Sequence, residues 1–202
     1  MNIKNKGFSL IEIVVVIAVF GIIAVAISNF QVGILKNNRV AQDSLSSAQD
    51  ARVILAMIVR DLRATSPGND GSFAIVQAAT NTITFYTDTD GDGLKEKIRY
   101  FVATSTLRKG SIKPTGSPLT YVGSNESFST LAYNIKNATS TPLFEYYDTN
   151  YNGTSNPLVQ PVTTTSIRLV KINLMIDADP NRSPIVRTYT SQVSLRNLKD
   201  NL

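Results

Sequence analysis

Cysteine, histidine and tryptophan are all missing from this 202-residue chain. Without cysteine there is no disulfide staple and no thiolate metal site, so core packing or an oxygen-ligated metal must hold the fold. Without cysteine and histidine, the common nucleophile–base pairs of covalent catalysis are also missing. Outside one aspartate-rich loop, the acidic residues are scattered and sit mostly in turn-like segments. No carboxylate pair of the glycosidase kind is indicated. The chain therefore reads as something other than an enzyme. Charge is sparse as well: the net value is +5, with no lysine–arginine stripe interleaved with aromatics. That argues against a nucleic-acid partner.

What is present starts with an apolar run. From Phe8 to Ile27 the only polar side chains are Ser9 and Glu12. In a helix, residues 8–27 extend about 30 Å, the hydrocarbon thickness of a bilayer. The β-branched content is mediocre for a helix in water. In lipid the backbone must satisfy itself, and helix wins. A secretory signal has a shorter apolar core, about 7–15 residues, ending at a small-residue cleavage site. A plain anchor would not need Glu12. A lone carboxylate at such a depth costs several kcal/mol, which marks Glu12 as functional.

The run Lys6-Gly7-Phe8-Ser9-Leu10-Ile11-Glu12 resembles the class III signal of type IV prepilins and type II secretion pseudopilins. The resemblance covers about the first thirty residues. It implies cleavage between Gly7 and Phe8 by a membrane prepilin peptidase on the cytoplasmic side, and N-methylation of Phe8 to N-methylphenylalanine. Glu12 then becomes the fifth residue of the mature chain. In the family that glutamate neutralises a terminal amine, its own or a neighbour's, and sets subunit register. Two charges that are each costly in lipid become tolerable as a pair. The implied partners are the peptidase, other pilins or pseudopilins in a filament, the inner-membrane assembly platform and membrane lipid. Charge alone leaves topology balanced, with Lys4 and Lys6 on one side of the span and Lys36 and Arg39 on the other. The resemblance implies a cytoplasmic leader and an outward-facing C-terminal domain. Removing Lys4 and Lys6 with the leader leaves a net charge of +3.

Residues 36–64 contain neither proline nor glycine, and Leu45, Ala48, Leu55, Ile58 and Leu62 fall at helical spacing, widened by Val59. The cluster Thr65-Ser66-Pro67-Gly68-Asn69-Asp70-Gly71 stops that helix. One helix of about 55 residues is expected, at 1.5 Å rise per residue, spanning the membrane first and amphipathic afterwards. From residue 72 onward, short runs of Ile, Val, Thr, Tyr and Phe alternate with turn residues. Strands are predicted at 73–77, 82–87, 97–103, 106–109, 119–122, 143–147, 166–176 and 185–196, with a hairpin loop at 177–183. The fold class is α+β and pilin-like, a long N-terminal helix on an antiparallel β-sheet domain. The expected organisation is a leader (1–7), the membrane part of the helix (8–35), its amphipathic part (36–64) and a β-rich domain (65–202). Residues 191–198 also resemble, more faintly, the ends of minor pilins and pseudopilins of the J and W classes.

One segment has metal-binding spacing. Asp88-Thr89-Asp90-Gly91-Asp92-Gly93 places carboxylates at alternate positions before a glycine, like the opening of a calcium loop. Glu96 stands at the ninth position. Arg99 occupies the twelfth, where a full helix–loop–helix site has a bidentate glutamate. Calcium bound by Asp88, Asp90, Asp92 and Glu96 competes here with a bare polar hairpin turn, because Asp-Gly pairs form turns unaided. No other cofactor is implied. A fainter echo, Asp148-Thr149-Asn150-Tyr151-Asn152-Gly153, reads as a loop. The leading functional expectation is a minor pilin or pseudopilin subunit, its size and lack of repeats favouring a minor one. The alternative is a membrane-anchored, calcium- or ligand-binding surface domain that does not polymerise. An anchored hydrolase would need an acidic pocket.

Overall fold

The computed structural model describes Gly7, residues 9–178 and residues 186–195. One helix, α1 (Leu10–Arg63), runs for 54 residues. The chain divides into two compact units, residues 1–44 and 45–202. In the first unit the helix is apolar on every side, and its large side chains from Leu10 to Leu35 are exposed. A helix apolar all round belongs in lipid or inside a larger assembly. This stretch is long and apolar enough to cross a membrane, and it fits a single-pass anchor. Ser28, at the end of the run, returns its hydroxyl to the Ala24 carbonyl at 2.8 Å, so its polar atom is satisfied within the helix.

In the second unit the helix buries Ala51, Ile54, Leu55, Ile58 and Leu62. These positions recur every three or four residues and form one face. Leu45, predicted on that face, is 67% exposed, and Ala48 is half-buried. The described core starts only at Ala51, so the stripe in the sequence is longer than the surface that covers it.

Eight strands follow, in two antiparallel sheets. β1 (Ile75–Ala79), β2 (Thr82–Thr87), β3 (Glu96–Ala103), β4 (Thr106–Ile112) and β5 (Ser127–Ala132) pair in sequence order as a meander. β6 (Phe144–Tyr147), β7 (Leu169–Asp177) and β8 (Val186–Ser194) form the second sheet. Alternation decides which side chains enter the core. In β3, Glu96, Ile98 and Tyr100 are buried, and in β7, Val170, Ile172, Leu174 and Ile176 are. The two sheets share one hydrophobic core with the α1 face. The segment after β5 links them: Ile135 bridges Ile176, and the Lys136 N–H donates to the Met175 carbonyl at 2.9 Å.

Residues 119–122 do not form the predicted strand. Thr120 instead closes a small loop on Thr115, and a 3-10 turn, Gly123–Asn125, follows. The strand that pairs with β4 is β5, whose Ser-Phe-Ser-Thr pattern is exposed and carries little apolar signal. β7 and β8 form the expected hairpin, pairing out to Asp177 and Val186. Most of its predicted loop, 179–183, lies outside the described residues, as do residues 185 and 196–198 of the C-terminal expectations.

Two polar contacts fix this unit. Asp61 lies on the buried face of α1 and is 3% exposed. Its Oδ2 accepts from the Tyr100 hydroxyl at 2.7 Å and from Lys109 Nζ at 2.7 Å, and its Oδ1 accepts from Arg60 at 3.2 Å. The helix is thereby tied to β3 and β4 by charge-assisted bonds. On the other face of β3, the Arg99 guanidinium donates to both Glu126 oxygens at 2.9 and 2.8 Å and lies over the Phe101 ring at 4.2 Å. Glu126 crosses directly above Gly110 to reach it. A Cβ at Gly110 would collide with the Glu126 carboxylate and push it off this path, so glycine leaves room for the pair.

Burial pushes the phenols of Tyr100 and Tyr146 well above their ordinary 10.0, and the Asp61 carboxylate adds to the effect at Tyr100. Because the fold favours the neutral phenol, its contribution to stability is complete below pH 10 and is lost as pH rises above that. In an alkaline titration followed at 295 nm, Tyr100 and Tyr146 are expected to stay protonated until the β unit unfolds. Ionisation of all eight tyrosines near pH 10 with the fold intact would contradict this.

Candidate functional site

Two places concentrate functional chemistry, one in each unit. The first is the start of α1. Gly7 is exposed, and a Cβ built on it meets nothing within 4 Å. Phe8 lies outside the described residues. Ser9 and Glu12 form a reciprocal pair at the first turn. Glu12 Oε2 accepts from the Ser9 N–H at 3.1 Å and from the Ser9 hydroxyl at 3.3 Å. The Glu12 N–H in turn donates to Ser9 Oγ at 3.3 Å. This is a capping box, which occupies backbone donors that a helix start leaves open. Its signature, Ser-x-x-Glu before an apolar run, was available in the sequence. The pairing of Glu12 with a terminal amine does not include this capping role. The acidic group also sits where the positive end of the helix dipole favours it.

The second place is the loop between β2 and β3. Gly91 and Gly93 adopt positive φ, 79° and 86°, and let the backbone fold around the aspartates. Asp88 Oδ1 accepts from the Gly91 N–H at 2.7 Å, and Oδ2 from the Gly93 N–H at 3.0 Å. Asp92 Oδ1 accepts from the Leu94 N–H at 2.8 Å. The base of the loop is clamped from outside. The Lys95 N–H donates to Asn69 Oδ1 at 2.6 Å, and the Tyr121 hydroxyl donates to the Lys95 carbonyl at 2.7 Å.

Three of the four predicted ligands come together. One carboxylate oxygen each from Asp88, Asp90 and Glu96 lies within 4.8 Å of the others. Asp92 stands apart from that group and pairs with Lys113 on the segment after β4. Lys113 also donates to Asp90 Oδ2 at 3.0 Å. These pairs hold the Lys113 ammonium well above its usual range, chiefly through Asp92, and hold Asp92 below the ordinary carboxylate range, chiefly through Lys113. A single cation on two of the carboxylates was not legible from spacing alone. Glu96 is 4% exposed. Its Oε2 accepts from the Thr89 N–H at 2.9 Å and the Thr89 hydroxyl at 2.7 Å, while its Oε1 is buried with no hydrogen-bond partner. The fainter motif at 148–153 closes on itself: Asp148 and Asn152 accept from the backbone two and three residues on. It is a turn of Asx type.

Residues 2–28 match the prokaryotic N-terminal methylation motif family. No curated protein matches the chain significantly. The motif supports a class III signal of type IV pilin kind, and with it a precursor like those of pilins or pseudopilins. A methylation motif followed by one long apolar helix points to a structural subunit rather than an enzyme.

Proposed function

We propose that the protein is a minor pilin or pseudopilin. It is cut between Gly7 and Phe8 by prepilin peptidase, methylated on the new Phe8 amine, and packed through α1 with other subunits. The β unit faces outward from the inner membrane. The observation that carries this reading is the methylation motif at residues 2–28. It is supported by the exposed apolar surface of Leu10–Leu35, which needs lipid before assembly and neighbouring helices after it. The minor role rests on the size of the chain and its lack of repeats.

In this reading Glu12 has two successive tasks. Within the single chain it closes the capping box with Ser9. In the filament it meets a terminal amine that cleavage has exposed. Two substitutions separate these tasks. Glu12→Gln keeps a side-chain acceptor for the Ser9 N–H and removes the charge, while Glu12→Ala removes both. Both variants should insert in the membrane like the parent chain. Both should also enter sheared filaments about tenfold less or worse, since an unpaired charge at that depth costs on the order of 3 kcal/mol. Normal assembly of Glu12→Gln would refute the charge role. Absence of the parent chain itself from sheared filaments would favour an anchored domain that does not polymerise.

A further inference from the structure

We propose that the β2–β3 loop is a calcium site built from Asp88, Asp90 and Glu96, with Lys113 as its resident counter-cation. Asp92, third in the sequence pattern, belongs to the lysine and not to the metal.

The acidic cluster alone would not carry this, because aspartates in a glycine-rich turn often serve only the backbone. Glu96 is the independent observation. The residue is 4% exposed, one of its carboxylate oxygens joins the Asp88–Asp90 group, and Oε1 is buried without a donor. Among the described residues, no lysine or arginine pairs with Glu96. A buried carboxylate oxygen left without a partner is costly, and buried charges are ordinarily paired or bound to metal. Glu96 is also held in place. Its Oε2 is fixed by both donors of Thr89, and the strand that carries it pairs in register with β2, Glu96 opposite Thr87.

The dimensions suit a hard cation. Calcium takes oxygen ligands at about 2.3–2.6 Å, so ligands on opposite sides of one ion are separated by about twice that. The three carboxylate oxygens lie within such a span. Carbonyls of the loop and water would complete the shell, as is usual for calcium. The charge distribution fits too. Lys113 reaches Asp90 and Asp92 from one side, leaving Asp88 and Glu96 uncompensated by any described cation. Binding would exchange one contact, Asp90 to Lys113 for Asp90 to metal, while Asp92 keeps the lysine clear of the ion.

The site depends on neither cleavage nor filament assembly. Its test therefore stands apart from the pilin reading. The full chain, in detergent micelles and stripped with chelator, is titrated with calcium chloride by calorimetry in a background of magnesium. One site is expected, with Kd between about 10⁻⁵ and 10⁻³ M, and a rise in the melting temperature of the β unit. Asp90→Asn leaves a side chain whose only other described contacts are Lys113 and a turn N–H, so it should fold normally. It should bind at least about tenfold more weakly, as should Glu96→Gln. Lys113→Met should bind about threefold more tightly, because one exposed like charge is removed. The proposal fails if the parent chain binds no calcium at about 5 mM, several times the weakest Kd of extracellular sites, about 1 mM. It also fails if Asp90→Asn, folded, binds as the parent does.

Discussion

A Gly7→Val chain is expected to stay at precursor length. Gly7 is exposed and precedes the first helical turn, and a side chain placed there meets open space. The substitution therefore leaves α1, its capping box and the β unit undisturbed, and the variant should reach the membrane in normal amounts. Any block must arise where the peptidase grips the bond. On the proposed cut between Gly7 and Phe8, a branched side chain there would have to enter the peptidase subsite that takes the glycine. Overpacking of that kind costs about 1–3 kcal/mol, which slows cleavage by about fivefold to 150-fold. Gly7→Ala, with one methyl group, should be slowed less. Intact mass and the methylated Phe8 terminus give the readout. A mature product from Gly7→Val at the parent rate would remove the proposed cut.

The second large effect is on stability. Asp61→Ala should destabilise the β unit by about 3 kcal/mol, because it leaves Lys109 and the Tyr100 hydroxyl without their shared acceptor inside the fold. Removing an exposed acid on the same helix, such as Asp50, should change stability by less than about 0.5 kcal/mol. The double variant Asp61→Leu with Lys109→Met should recover part of the loss, since both charges and their desolvation vanish together. With no tryptophan in the chain, tyrosine fluorescence or circular dichroism reports the transition. A melting temperature for Asp61→Ala equal to that of the parent would show that the pair contributes nothing. Helical spacing hides this contact: Asp61 sits between Ile58 and Leu62 in a stripe otherwise read as apolar.

Several features were legible from residue order alone. They are local, and their physics is local. The apolar run sets a helix of membrane length. The lack of proline and glycine from residue 36 to 64 carries that helix onward, and Thr65–Asp70 ends it. A run of β-branched and aromatic residues between turn residues placed β2 to the residue, from Thr82 to Thr87. The aspartate-glycine pattern located the loop that gathers Asp88, Asp90 and Glu96.

Tertiary structure decided what depends on partners distant in sequence. β5 has almost no apolar signal and is a strand because β4 offers it a ladder. Leu45 continues the helical stripe but is left uncovered, since the core begins at Ala51. Asp92 has the spacing of a ligand and is claimed instead by Lys113, 21 residues further on. Asp61, an acid among apolar neighbours, becomes a tie to two strands through Tyr100 and Lys109. In each case the sequence states what a side chain can do. Only the fold brings up the group, 20 to 50 residues away, that determines which of those things it does.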